Sequence, residues 1–178
     1  LAARTAAISV TGQGDGTWLI NKDGMPVMPA WLWLDARAAT LVDELRAAPE
    51  DRIRYLETGT GLAACQQGPQ LRWMMRNAPH LLEQSTTAFH CKDWLYFNLT
   101  GERVTDPSEG LFTFGRFDNR SYSQEAIEIL GLNDVQHLIP PMLDGVQTSF
   151  PLTAHAAKAT GLAQGTPTIL GYVDVACT

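Results

Sequence analysis

The sequence predicts a mixed fold of strands and helices, α/β or α+β in class. Three observations carry this. Apolar strand-like runs lie near both ends, Ala7 to Thr11 and Thr168 to Val173. Between them stand amphipathic segments with helical spacing, most of them closed by Gly or Pro. No internal repeat or low-complexity tract interrupts the mixture.

Taken in order, "AAISVTGQGDG" reads as a strand entering a Gly-rich turn. "TWLINKDGMPV" reads as a hairpin whose turn, Asn21 to Gly24, contains an Asp-Gly pair suited to positive φ. "AWLWLDARA" continues as a strand ending near Asp35. Ala39, Leu41, Val42 and Leu45 share a helical face, and Pro49 ends that helix. "RIRYLETG" is a short helix closed by Gly59, and Leu71, Met74 and Met75 mark another before Pro79. "TAFHCKDWLYFNLTGE" begins as a buried strand and turns helical from about Asp93 to Leu99, with Gly101 as its stop. "VTDPSEGLFTFGRFDNRSY" reads as an aromatic loop, and "HLIPPML" as extended chain. Ser123 and Gly131 bracket one further helix, and Gly161 closes the last.

The composition is that of an ordinary globular chain, 45% apolar and 18% charged over 178 residues. A net charge of −6 with no basic cluster argues against nucleic acid as a partner. No apolar run reaches membrane-spanning length, so no membrane partner is expected. Cys65, Cys91 and Cys177 are far apart and form no CxxC pair. They read as reduced thiols of a cytoplasmic protein, with no zinc site and no disulfide framework. The four His show no metal spacing and read as structural or surface residues.

Four stretches are candidates for chemistry. "TGQGDGTW" matches neither GxGxxG nor GxxxxGK[ST]. It is either a plain Gly-rich turn, the commoner case, or a backbone that approaches a ligand while Asp15 accepts hydrogen bonds from paired hydroxyls. In "WLWLDAR", Trp31 reads as core, and one of the two tryptophans is free to stack on sugar C–H edges. In "CKDWLYF", Asp93 reads as a helix-start charge and Lys92 as solvent-exposed, with an active pair as the alternative. In "GYVDVA", Asp174 stands at the carboxyl end of a strand, where α/β folds place catalytic groups; a helix N-cap is the equal alternative.

Together these stretches resemble the FGGY family of carbohydrate kinases, which includes the glycerol, xylulose, ribulose and erythritol kinases. "MPAWLWLDARAA" is similar to the family's P-x-I-L-W-x-D-x-R-A segment. "CKDWLYFNLTGERVTDPSEG" is similar to K-D-x-L-x-x-x-L-T-G-E-x-x-T-D-x-S. "LIPPMLDGVQ" resembles L-P-P-x-x-x-x-G, and "TGLAQGTPTILGYVDVA" resembles T-G-L-x-x-G-T-P-V-x-x-G-x-x-D. "ISVTGQGDG" stands for the family's first strand and substrate turn. Five motifs in order are specific together, although none decides alone.

The resemblance implies an RNase-H-like α/β domain of the actin-like ATPase superfamily, here incomplete. It implies that residues 1–178 are an internal part of the N-terminal, sugar-binding domain. The family's N-terminal phosphate loop and C-terminal ATP-binding domain then lie outside this sequence. The implied activity is phosphoryl transfer from ATP, with Mg²⁺, to a sugar or polyol such as erythritol, xylulose or ribulose. ATP and Mg²⁺ would be held mainly outside this stretch. Asp174 matches the general base. Gln13, Gly14, Asp15, Trp33, Cys65 and Val175 match substrate-contact positions. Gly14-Asp15 departs from the Arg-Glu of glycerol kinases and the Met-His of xylulose kinases, so neither substrate carries over. The segment "CQQGPQLRW" lacks the family's usual Lys. The alternative is a sugar-binding or regulatory domain of the same fold without transfer activity. A homodimer is left open as the assembly.

Overall fold

The structure, a computed structural model, describes residues 4–177. In chain order, β1 (Ile8–Val10) and β2 (Trp18–Ile20) flank the Gly-rich turn. Four helices follow: α1 (Ala39–Ala47), α2 (Asp51–Thr58), α3 (Gln67–Asn77) and α4 (Pro79–Glu83). Then come β3 (Thr87–Phe89), α5 (Cys91–Thr100) and α6 (Pro107–Phe114). A two-residue ribbon, β4 (Gly115–Arg116) and β5 (Ser121–Tyr122), leads to α7 (Gln124–Ile129) and a 3₁₀ turn over Asn133–Leu138. β6 (Phe150–Pro151), α8 (Ala154–Thr160) and β7 (Pro167–Leu170) complete the chain before a last 3₁₀ turn, Asp174–Ala176.

β7 is the middle strand of a three-stranded mixed sheet. It runs parallel to β1, with Val10 opposite Leu170, and antiparallel to β6. A parallel neighbour so distant in sequence needs a long crossover, and most of the chain forms it. Because β1 and β7 are parallel, their carboxyl ends emerge side by side, and the turns after both meet at one edge. α5 packs beneath them: Val10, Leu170 and Tyr96 form one apolar cluster, and the Tyr96 hydroxyl donates to the Thr168 carbonyl at 3.1 Å.

The larger core lies among β2, α3, α6 and α7, where Leu19, Leu71, Met74, Phe114 and Leu130 are almost fully buried. β2 pairs antiparallel with β3, which brings the Gly-rich turn close to the start of α5. The helix stops read from the sequence are present: Gly59, Gly101 and Gly161 all take positive φ as C-caps.

Three expectations are corrected. No strand runs from Trp31 to Leu34; Trp31 makes an isolated bridge to Thr17, and the chain then turns, with the Asp35 N–H bonded to the Leu32 carbonyl. Trp31 is held in the core by its T-shaped contact with Trp73, at 5.4 Å between centroids, and by the Arg37 guanidinium over its face. Residues 107–114 are helix rather than loop, because Asp106 caps them and Pro107 fits the first helical position. Lys92 is fully buried rather than solvent-exposed. Among the described residues no helix is long and apolar enough to cross a membrane.

Candidate active site

The turns after β1 and β7 are sewn together by backbone bonds. The Gly171 N–H donates to the Val10 carbonyl, and the Asp174 N–H donates to the Gly12 carbonyl, both at 2.9 Å. The Thr11 hydroxyl donates to the Tyr172 carbonyl at 2.8 Å. From the other side the Val173 N–H donates to the Ser108 hydroxyl oxygen at 2.8 Å. Ser108 is set in turn by Asp106, the α6 N-cap, whose carboxylate accepts from both its N–H and its hydroxyl. Asp174 is therefore carried on a loop fixed from two elements, with its carboxylate exposed.

Beside this loop is a cavity of about 70 Å³. Gly14, Asp15, Val173 and Val175 form one side of it, and Ser108, Glu109 and Phe112 from α6 form the other. Val173 and Val175, the chain neighbours of Asp174, both line it. Gly14 has no room for a side chain: a Cβ there would lie 2.8 Å from Val173 Cγ2. The absent side chain at Gly14 does not open space for a longer acceptor, because Val173 occupies it.

Asp15 holds φ of 57° and Gly16 of 82°, two left-handed residues in succession. Asp tolerates this region better than most side chains. At Gly16 a Cβ would fall 2.3 Å from the Trp31 carbonyl oxygen, so only Gly fits. The bend aims Asp15 at the loop before α3, where its Oδ2 accepts from Cys65 Sγ at 3.4 Å. The Gly16 N–H donates to the Cys65 carbonyl at 2.9 Å. Burial raises the Asp15 carboxyl above the ordinary carboxylate range. Burial and the Asp15 charge push the Cys65 thiol up to about 11, so it is a neutral donor.

The sequence missed Glu109. It is 3% exposed, on the first turn of α6. Its Oε2 is 3.8 Å from His90 Nε2, and its Oε1 has no hydrogen-bond partner among the described residues. Burial, reinforced by Asp93 and Asp15 and opposed by His90 and Lys92, pushes its carboxyl up to about 7. Behind it runs a buried ionic chain. His90 caps α5 and hydrogen-bonds Asp93 at 3.2 Å through Nδ1. Lys92 Nζ lies 2.8 Å from Asp93 and also contacts Asp106. Although desolvation is the largest effect on Asp93, Lys92 and His90 together lower its carboxyl to about 2. Against the effect of burial, the Glu109 charge and Asp93 lift His90 above its usual range, with Lys92 opposing them.

Of the residues read from the sequence, Gly14, Asp15, Cys65 and Val175 come together here; Asp174 does not itself line the cavity, although both its chain neighbours do. Gln13 sits just behind, and its buried Nε2 has no partner among the described residues. Trp33 does not join them; it is 53% exposed on the turn after Trp31. A larger hollow of about 650 Å³ lies elsewhere, over Trp31, Asp35 and Trp73. Its carboxylate, Asp35, is already paired with Arg37 at 2.8 Å, so the smaller cavity with free acceptors is the better site.

The profile of the FGGY family of carbohydrate kinases, N-terminal domain, matches residues 2–178. The chain belongs to this family. As an FGGY domain it is 59% identical over its whole length to the erythritol kinase of Brucella abortus, of which it covers 34%. It is 31% identical over 175 residues to the autoinducer-2 kinase of Escherichia coli, covering 96% of this chain and 32% of that protein. The solved xylulose kinase of Rhodospirillum rubrum matches 97% of the FGGY domain and 36% of its own chain, with a TM-score of 0.87 at 27% identity. The chain thus spans about a third of the length of these relatives, and its mixed α/β architecture is that of FGGY sugar kinases.

Among the described residues no group of three or more His, Cys, Asp or Glu is placed to hold a metal. No all-protein cation cage is therefore formed by the described residues.

Proposed function

We propose that this chain is the acceptor-binding part of an ATP-dependent sugar or polyol kinase, with Asp174 as the general base. One observation carries the reading. Asp174 is fixed through its N–H to the turn that presents Asp15, and its two neighbours line the same cavity as Asp15 and Glu109. Phosphoryl transfer to a hydroxyl asks mostly for positioning, with one carboxylate taking the proton. Asp174 fills that role from a loop held by Gly12 and Ser108, and its Oδ1 accepts from the Val175 N–H at 2.7 Å, which sets the carboxylate. Asp15 accepts from acceptor hydroxyls, and Cys65, whose S–H is given to Asp15, meets the acceptor with its sulfur as a weak acceptor. Gln13 supplies a further donor, and Val175 an apolar rim for the carbon chain. ATP provides the phosphoryl group when bound.

Erythritol is placed first among acceptors, supported by the 59% identity to a protein named erythritol kinase. Xylulose and ribulose follow. The test is ADP release by the full-length protein with ATP, Mg²⁺ and a panel of glycerol, erythritol, xylulose and ribulose. Turnover is expected with at least one, and Asp174→Asn should lower kcat by roughly 10²–10⁴-fold while acceptor affinity changes much less. Tight sugar binding without turnover would favour a non-catalytic sugar-binding domain instead. An Asn variant with near-normal turnover would sink the general-base assignment.

A further inference from the structure

We propose that Glu109 is an acceptor-binding residue that fixes specificity, taking one hydroxyl of the acceptor through Oε1. The inference rests on the sugar-kinase reading above. Three observations on this side chain point the same way. It is almost completely buried, yet Oε1 has no partner among the described residues. A buried carboxylate oxygen without a donor is costly and rarely kept without a reason. Oε1 also faces the cavity: it lies 3.8 Å from where a Cβ on Gly14 would stand, and both residues line that space. Finally, the other oxygen, Oε2, stands 3.8 Å from His90 Nε2, within reach of its charge though beyond a hydrogen bond, while His90 Nδ1 is turned to Asp93. Oε1 is thus buried without a donor on the Gly14 side of the carboxyl, and Oε2 stands on the His90 side.

This arrangement suits a polyol hydroxyl better than an anion. Glu109 and Asp15 face one small space, and two carboxyl groups there would repel a phosphate or carboxylate ligand. A neutral hydroxyl can donate to an ionised Glu109 or accept from a protonated one, so it satisfies the orphan oxygen in either state. Asp15 and Glu109 reach one space from different elements, the turn after β1 and α6, so an acceptor needs two hydroxyls at suitable spacing to engage both. That is a selection for hydroxyl pattern, distinct from the proton removal given to Asp174.

The experiment compares wild type with Glu109→Gln and Glu109→Asp in the full-length protein. Acceptors are erythritol and two triols that each lack one hydroxyl, 1,2,3-butanetriol and 1,2,4-butanetriol. Glu109→Gln keeps the shape, and thermal unfolding checks that both variants are folded. The expected result is a KM for erythritol raised roughly tenfold or more, with kcat changed less. That penalty should largely vanish on the triol missing the hydroxyl that Glu109 takes. Equal losses on all three acceptors would show a structural role and overturn the proposal, as would an unchanged KM for erythritol. If wild type phosphorylates no acceptor, the kinase reading fails separately. The same comparison is then read as Kd by calorimetry, with the same outcomes deciding Glu109. Absence of binding to any of the three polyols, or of any Glu109 effect on it, overturns the proposal as well.

Discussion

The backbone N–H of Val173 donates to the Ser108 hydroxyl across 2.8 Å, joining the Asp174 loop to the first turn of α6. Ser108→Ala removes the acceptor and leaves that N–H unpaired in a half-buried place. A stability loss of about 1–3 kcal/mol is expected. If the bond aims Asp174, kcat should fall more than acceptor affinity. Urea unfolding together with steady-state kinetics separates the two effects. Unchanged kcat with lowered stability would reduce Ser108 to a structural cap.

Gly14→Ala tests the contact with Val173. The added methyl would sit 2.8 Å from Val173 Cγ2, a β-branched side chain with little freedom to retreat. The loop bearing Asp174 must shift instead. A fall in kcat for every acceptor is expected, without a new length preference. A variant that merely excludes longer acceptors at full kcat would show that Gly14 is open space after all.

Asp15 needs a paired test because of its φ of 57°. Asp15→Ala loses the carboxylate and also strains the backbone, by about 1 kcal/mol. Asn tolerates the same conformation, so Asp15→Asn isolates the carboxylate. Stability should be nearly normal for the Asn variant, with kcat/KM for the preferred acceptor down at least roughly tenfold. Unaltered kcat/KM in that variant would make Asp15 a turn residue and nothing more.

The pH dependence of stability follows from Glu109, whose carboxyl moves from 4.5 to about 7 on folding. Between those values the folded protein keeps a proton that the unfolded chain has lost. The stability tied to it is present below pH 4.5 and is lost as pH rises through 7. At 1.36 kcal/mol per pKa unit the loss is on the order of 3 kcal/mol. The groups facing Glu109 are Asp15, His90, Lys92 and Asp93. His90, also raised, contributes in the same direction. Asp93, lowered to about 2, acts oppositely, and its contribution is lost only as pH falls below 3.8. Glu109→Gln should therefore raise Tm more at pH 8 than at pH 5. Equal Tm shifts at both pH values would mean that Glu109 does not hold its proton as described.

The frame of the site was legible in the sequence because its signals are local. β1, β7 and the glycine stops follow from apolar runs and positive-φ positions a few residues long. The proposal for Asp174 starts from its place after a strand. Glu109 was missed, because "VTDPSEGLF" was read for its aromatics and polar residues as a loop. The usable signal was Asp106-Pro107, an N-cap followed by proline, which starts a helix and turns residue 109 inward. Lys92 was misread for a different reason. Its partner Asp106 comes from the next helix, and no periodicity within α5 reports a charge supplied from elsewhere. Trp33 was misplaced because two alternating tryptophans favour a strand locally, whereas Trp31 alone is claimed by the core.

The joined starts of α5 and α6 also bear on how such a protein can change its acceptor over generations. Lys92, Asp93, Asp106 and His90 are each answered by another member of the set, so replacing one leaves a buried charge stranded. Substitutions there should be strongly epistatic, tolerated in combinations and punished singly. Cys65 and Val175 stand outside this set of buried charges and carry no such debt. Evolutionary drift toward new acceptors should enter through those two positions and leave the ionic hinge between the helices untouched.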